Sequence, residues 1–143
     1  MIRLIQFHDT AQIYQILSRA RAASSVPIGP NWSEKQIAEE CRGVGYAFVR
    51  GDELLAFILF RDTGAAWEIT FLATDPVSQG QGLMKALLEK MRGDRPQERP
   101  IWLEVHSENV KARRLYEKQG FEIVGERPKY YADGGAAILY NLG

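Results

Sequence analysis

The sequence predicts an α/β protein with a mixed central sheet of about seven strands and helices on both faces. Three observations lead there. Apolar spacing alternates between the helical and the strand period in the order β-α-α-β-β-β-α-β-α-β-β. Leu54-Leu55-Ala56-Phe57-Ile58-Leu59-Phe60 is apolar at every position, as a strand covered on both faces reads. The stretch from Thr74 to Leu88 passes from the end of an apolar strand, across Asp75-Pro76 and two glycines, into a helix. The strands on either side of that helix can therefore run parallel.

Each element has its own signal. Ile2-Arg3-Leu4-Ile5 reads as a short opening strand. Asp9 or Thr10 can cap a helix to about Ala23, whose apolar face is Ile13, Ile16, Leu17 and Ala20. His8 stands at that junction as a capping or solvated side chain. Ser24 to Asn31, with two prolines and a glycine, is a loop. Ser33 and Gln36 form a capping box that starts a helix reaching about Cys41. Val44–Arg50 and Leu54–Arg61 are strands joined at Gly51-Asp52, and Thr63-Gly64 turns into a strand over Ala66–Thr74. Trp67, Ile69 and Phe71 alternate there with Glu68 and Thr70. Met84, Leu87, Leu88 and Met91 make one face of the helix after the glycine loop. Arg92 to Pro100 is an exposed connection, followed by a strand over Ile101–His106. Asn109 to Gln119 is a second amphipathic helix with Gly120 at its end. Phe121–Tyr131 and Ala136–Leu142 pair as a final hairpin around Asp133-Gly134. No repeat or low-complexity segment divides the chain, so residues 1–143 read as one domain.

Composition removes several function classes. Lysine plus arginine equals aspartate plus glutamate at 18 each, which argues against a polyanion binder and so against direct nucleic-acid binding. One cysteine, Cys41, makes no intramolecular disulfide, and two histidines make no metal-ligand cluster, so no metal is expected. No signal-like segment and no membrane-length apolar run is seen, so the expected location is cytoplasmic, away from membranes.

The glycine loop carries the first chemical signal. A strand, a tight turn and a helix start gather backbone N–H groups that lack intrahelical partners, where the helix dipole favours negative charge. Gln79-Gly80-Gln81-Gly82-Leu83-Met84-Lys85 is suited to hold a phosphate or pyrophosphate, or is an ordinary turn that needs glycines. It lacks the Gly-Lys-Ser/Thr ending of a P-loop and the third glycine of a dinucleotide fingerprint. In Ile101-Trp102-Leu103-Glu104-Val105-His106 the aliphatic residues face one way and Trp102, Glu104 and His106 the other. Glu104 is either a surface charge on a wet face or a carboxylate held for proton transfer. His106 is a proton relay or merely polar. Tyr116 lies two helical turns after Asn109, with the small Ala112 between them on one face. It is a core aromatic or a ligand-facing phenol, and Asn109 is a helix N-cap, a ligand donor, or both. Trp32 is a hydrophobic staple or part of a cleft wall formed with the preceding loop. Tyr130 and Tyr131 are cross-strand packing partners or part of a binding groove.

Gln79-Gly80-Gln81-Gly82-Leu83-Met84 resembles the coenzyme A loop of the GCN5-related N-acetyltransferases (GNAT). Asn109-x-x-Ala112-x-x-Leu115-Tyr116-Glu117-x-x-Gly120-Phe121 resembles that superfamily's second hallmark, in the expected order and separation. Trp32-Ser33-Glu34-Lys35, Asp75-Pro76, Trp102-Leu103-Glu104-Val105 and Tyr130-Tyr131 make the chain similar to the ribosomal-protein alanine N-acetyltransferase (RimI) family along nearly its whole length. The resemblance implies the GNAT fold, acetyl-CoA as co-substrate, and direct attack of an amine on the thioester. Glu104 would be the general base and Tyr116 the acid that protonates the departing thiolate. A backbone N–H of Leu72, Ala73 or Thr74 would hold the oxyanion, and Asn109 would bond the coenzyme. Trp32, Tyr130 and Tyr131 would shape the acceptor groove. Two positions depart from the pattern: Met84 stands where glycine or alanine is usual, and Gly80 where arginine is common. Periodicity turns the Met84 side chain away from the ligand.

The expected acceptor is a protein N-terminal α-amine of the ribosomal-protein alanine type. The alternatives are a small-molecule amine acceptor on the same fold and a non-catalytic acyl-CoA-binding module. The latter would keep the loop without Glu104 and Tyr116.

Overall fold

The computed structural model describes residues 1–143. The chain runs β1 (Ile2–Leu4), α1 (Thr10–Ala23), α2 (Glu34–Glu40), β2 (Val44–Arg50), β3 (Glu53–Asp62), β4 (Trp67–Thr74), α3 (Leu83–Asp94), β5 (Ile101–His106), α4 (Val110–Lys118), β6 (Glu122–Arg127) and β7 (Ala137–Leu142). The strands form one seven-stranded sheet in the order β1-β2-β3-β4-β5-β7-β6. β4 and β5 pair in parallel across the α3 crossover, and every other neighbouring pair is antiparallel. The α/β mixed sheet expected from the sequence is the one observed.

β3 explains why the sheet has cover on both sides. Phe57 and Leu59 pack under α1 and α2 with Ile13, Ile16, Leu17 and Ile37. Ala56, Ile58 and Phe60 pack on the other face with Leu87, Leu88 and Met91 of α3 and Tyr116 of α4. All of Leu54 to Phe60 is at most 2% exposed, so neither face can be the wet one. Each large side chain buried this way contributes about 1.5–3 kcal/mol.

Local signals set most helix ends. Ser33 Oγ accepts the Gln36 N–H and Gln36 Oε1 accepts the Ser33 N–H at 2.8 Å, the reciprocal box that starts α2. Asp9 does something else than cap α1. Its carboxylate takes two hydrogen bonds from Arg3, both at 2.8 Å, and one from the Gln6 N–H at 2.8 Å. It therefore ties β1 to the 3-10 turn Phe7–Asp9 before α1 begins.

Two elements differ from simple alternation. In β4 the register slips: Leu59 faces Phe71 while Phe60 faces Ile69, which leaves Thr70 as an extra, bulged residue. The Thr70 hydroxyl lies 3.2 Å from the Leu59 carbonyl and 3.0 Å from a Glu40 carboxylate oxygen. The bulge sends Trp67 and Ile69 to the α3/α4 face but Phe71 and Ala73 to the α1/α2 face, so the three residues expected on one face are split. The second difference is the last hairpin. β6 ends at Arg127, and Tyr130 and Tyr131 lie in the connection 128–136 rather than in a strand. Pro128 cannot donate to a ladder, and Lys129 takes a left-handed φ of 53°.

Candidate active site

The parallel pairing of β4 with β5 covers only Trp67–Ile101 and Glu68–Trp102. Past Glu68, where the bulge begins, the two strands no longer pair, and a cleft of about 470 Å³ opens between them. The end of α1, the α1–α2 loop, β4, the start of α3, β5, the start of α4 and Tyr131 line it.

One wall is the glycine loop. Asp75 is buried at 4% exposure; it accepts the Val77 N–H and an Arg19 N–H at 2.6 Å, which ties the loop to α1. Gly82, with φ 75°, is the left-handed residue from which α3 starts, a conformation glycine adopts without strain. Backbone N–H groups from Gly80 to Lys85 have no partner within the chain. A Cβ at Gly80 or Gly82 would meet nothing within 4 Å, so this surface is open. Unpaired donors at a helix N-terminus fit a diphosphate, whose charge also suits the dipole. Gln79, Leu83, Met84 and Lys85 line the cleft with the glycines, and Gln81 does not. Met84 is 8% exposed and belongs to the α3/α4 core, so its side chain supports the cleft wall from beneath.

The second wall is β4. The Asp75 N–H donates to the Leu55 carbonyl at 2.8 Å, so in this antiparallel ladder Ala73 and Phe71 also bond toward β3. Leu72 and Thr74 are the alternate residues. Their N–H groups point toward β5, which has moved away, and hence into the cleft.

Glu104 and Tyr116 reach the same cleft from β5 and α4. The Glu104 side chain is 32% exposed and forms an ion pair with Arg127, whose Nε lies 3.1 Å from Oε1. Its strand neighbours Leu103 and Val105 point into the core. Tyr116 is buried at 3% exposure, edge-on to Phe121 and Tyr140. The Tyr140 hydroxyl donates to Glu117 at 2.6 Å and accepts from Arg113 at 3.0 Å, whereas the Tyr116 hydroxyl bonds no protein group. Burial, reinforced by Tyr131 and Tyr140, holds the Tyr116 phenol well above its usual range, so it keeps its proton. Tyr131 is pushed up to about 12, first by burial and then by the Glu104 charge. Asn109 caps α4, accepting the Ala112 N–H at 3.4 Å, and lines the cleft.

Trp32 and Tyr130 lie outside the cleft, and His106 lines it. Trp32 packs on Phe71 at 4.8 Å between ring centroids, under the Arg61 guanidinium, and joins the α1/α2 core. Tyr130 is exposed and stands edge-on to Tyr131 at 5.1 Å. His106 is buried with both ring nitrogens engaged, by Asp133 and by the Glu108 N–H.

Sequence reasoning missed the contribution of α1 and its loop at residue level, where Ala20, Ala23, Ser24 and Ile28 line the cleft. Small residues at Ala20 and Ala23, one turn apart, were the available signal. Arg127 was missed too. No spacing links it to Glu104, 23 positions earlier, because their contact is made across the sheet.

Residues 10–121 match the family described as Acetyltransferase (GNAT) family. Over 135 residues the chain is 31% identical to the [ribosomal protein bS18]-alanine N-acetyltransferase of Escherichia coli, covering 91% of this chain and 86% of that protein. A crystal structure of that Escherichia coli enzyme superposes with a TM-score of 0.83 over 99% of this chain and 92% of the other. A shorter stretch of 70 residues, 49% of this chain, is 39% identical to an uncharacterized Mycobacterium leprae protein, of whose length it spans 19%. The Arabidopsis thaliana NAA60 structure in complex with acetyl-CoA shares the fold at 20% identity, with a TM-score of 0.78 over 99% of this chain and 97% of the other. With the splayed strands, the open donor loop and these likenesses together, the chain belongs to the acetyltransferase (GNAT) family and is an N-acetyltransferase.

Proposed function

We propose that the protein transfers the acetyl group of acetyl-CoA to an amine, and that its preferred acceptor is a protein N-terminal α-amine. One observation carries the reading. Glu104, Tyr116 and the unpaired N–H groups of the glycine loop all line a single cleft. The structure of a fold relative with acetyl-CoA and the named activity of the Escherichia coli relative support it.

Acetyl-CoA supplies an acetyl thioester, and the N–H groups from Gly80 to Lys85 suit its diphosphate. Asn109, whose carbonyl oxygen caps α4, has its amide left to bond the coenzyme. Glu104, through a water, takes the proton that the acceptor ammonium must lose before its nitrogen can attack. The Leu72 or Thr74 N–H donates to the carbonyl oxygen as charge builds on it. Ala73 is set aside for that role because its N–H is directed at β3. As the new C–N bond forms and the C–S bond breaks, the Tyr116 phenol gives its proton to sulfur and regains one from solvent. At pH 7 about one α-amine in ten is neutral, against about one lysine in two thousand, so a carboxylate acting through water suffices for the former. Tyr131, in the cleft beside Glu104, and Tyr130 beside it would face the acceptor chain.

The test is acetyl transfer to a short peptide with a free N-terminal alanine, beside the same peptide N-blocked and carrying a lysine. Transfer to the free terminus alone is expected. Transfer to polyamines or aminoglycosides in preference to either peptide would replace the acceptor assignment with a small amine.

A further inference from the structure

His106 ends β5 on the same face as Glu104, and its imidazole is 2% exposed. Nδ1 accepts the Glu108 N–H at 3.1 Å, so the ring proton sits on Nε2. Nε2 donates to the Asp133 carboxylate, 2.9 and 3.0 Å from its two oxygens. With both nitrogens engaged, the ring has no free position from which to pass a proton to or from an acceptor.

The ring instead organises the β6–β7 connection. Asp133 Oδ1 also accepts the Gly135 N–H at 2.9 Å. Gly135 lies so close that a Cβ there would stand 2.0 Å from His106 Nε2, so only glycine fits. The Gly135 carbonyl accepts the N–H groups of both Tyr130 and Tyr131 at 3.0 Å. Tyr131 lays its ring against the imidazole at 4.9 Å between centroids. Through these contacts one buried side chain of β5 fixes Tyr131, which lines the cleft, and Tyr130 stacked edge-on beside it.

We propose that His106, clasped to Asp133 and closed over by Gly135, is a positioning residue that pre-forms the acceptor-side wall, so that it governs acceptor affinity rather than proton transfer. The acceptor part of this inference rests on the function proposed above; the pre-formed loop does not. Ordering two tyrosines and their backbone before the acceptor arrives removes an ordering cost from binding. Coenzyme binding lies on the other wall and is untouched.

The experiment combines kinetics with amide hydrogen exchange in the full chain. Asp133→Ala and Gly135→Ala are expected to raise KM for the N-terminal-alanine peptide about tenfold or more. Saturating kcat and the acetyl-CoA Kd should stay within about twofold of the parent. Asp133→Asn keeps the Oδ1 acceptor and should restore KM. The Tyr130 and Tyr131 amides should be protected in the parent and in Asp133→Asn and lose protection in the two alanine variants. A fall in kcat with KM unchanged, or retained protection in both alanine variants, would overturn the proposal. If no peptide is acetylated, the acceptor assignment fails by itself, and the exchange pattern with the Nε2–H tautomer in a nitrogen-detected spectrum still decides whether the clasp pre-forms the loop.

Discussion

Glu104 and Tyr116 stand in different surroundings. Glu104 is partly exposed and paired with the Arg127 guanidinium, 3.1 Å from its Nε. Tyr116 is held protonated by burial, which suits a donor but makes it a weaker acid than a free phenol. The same apolar surroundings raise the basicity of any thiolate formed beside it, so transfer between the two keeps its direction. Glu104→Gln should lower kcat by about a hundredfold or more, and Tyr116→Phe likewise, with the acetyl-CoA Kd nearly unchanged. Rapid-quench turnover together with calorimetric coenzyme binding checks both. Asp9 makes a separate prediction about stability. Burial alone would raise its carboxyl, but the hydrogen bonds from Arg3 and Gln6 outweigh that and hold it below the usual range. A depressed carboxyl contributes stability above its unfolded pKa of about 3.9 and loses it as pH falls through the folded value. Asp9→Ala should cost about 3 kcal/mol at pH 7 and progressively less below pH 4, as read by urea unfolding at several pH values.

At the scale of elements, the strand and helix pattern was legible because each element is locally consistent. The capping box at Ser33 and Gln36, the apolar run in β3 and the parallel crossover through α3 are encoded within a few residues of where they act. The features that make the site are less local. Thr70 is an ordinary β-former, and only the pairing of β4 with β3 shows that it is bulged out. Yet that bulge follows directly on the last β4–β5 pair, Glu68–Trp102, and it decides which N–H groups face the cleft. Tyr130 and Tyr131 read as strand residues because aromatics favour strands. They sit in a loop because its own Asp133 and Gly135 bind it to His106 of β5, which precedes Asp133 by 27 positions. Trp32 illustrates the reverse case, where a motif position named for a groove packs on Phe71 outside the cleft. The Gly82 turn is legible and testable. Gly82→Ala adds no clash but places a side chain at φ 75°, and should cost about 1–2 kcal/mol in stability. It should also weaken acetyl-CoA binding, since relaxing the turn re-aims the N–H groups. A neutral melting temperature with unchanged Kd would contradict that account of the loop.

For the whole molecule, the sheet is divided between two tasks. β1 to β3 with α1 and α2 on one face build one half, and β5 to β7 with α4 carry Glu104, Tyr116 and the acceptor-side loop. α3 bridges the halves and brings the donor loop to the gap between them. Four tyrosines, the buried Tyr46, Tyr116 and Tyr140 and the half-buried Tyr131, all have phenols raised by burial. A raised phenol contributes stability that is complete below its unfolded pKa of about 10 and is lost as pH rises through the folded value. Absorbance titration should therefore show these four ionising late and together with unfolding. The central claim is that one cleft joins the coenzyme to an α-amine over Glu104 and Tyr116. Its most direct measurement is acetyl transfer from acetyl-CoA to a free N-terminal alanine peptide against its N-blocked, lysine-bearing twin, in the parent and in Glu104→Gln. The account predicts transfer to the free terminus alone, lost by about a hundredfold in the variant. Equal transfer to both peptides, or full activity in Glu104→Gln, would contradict it.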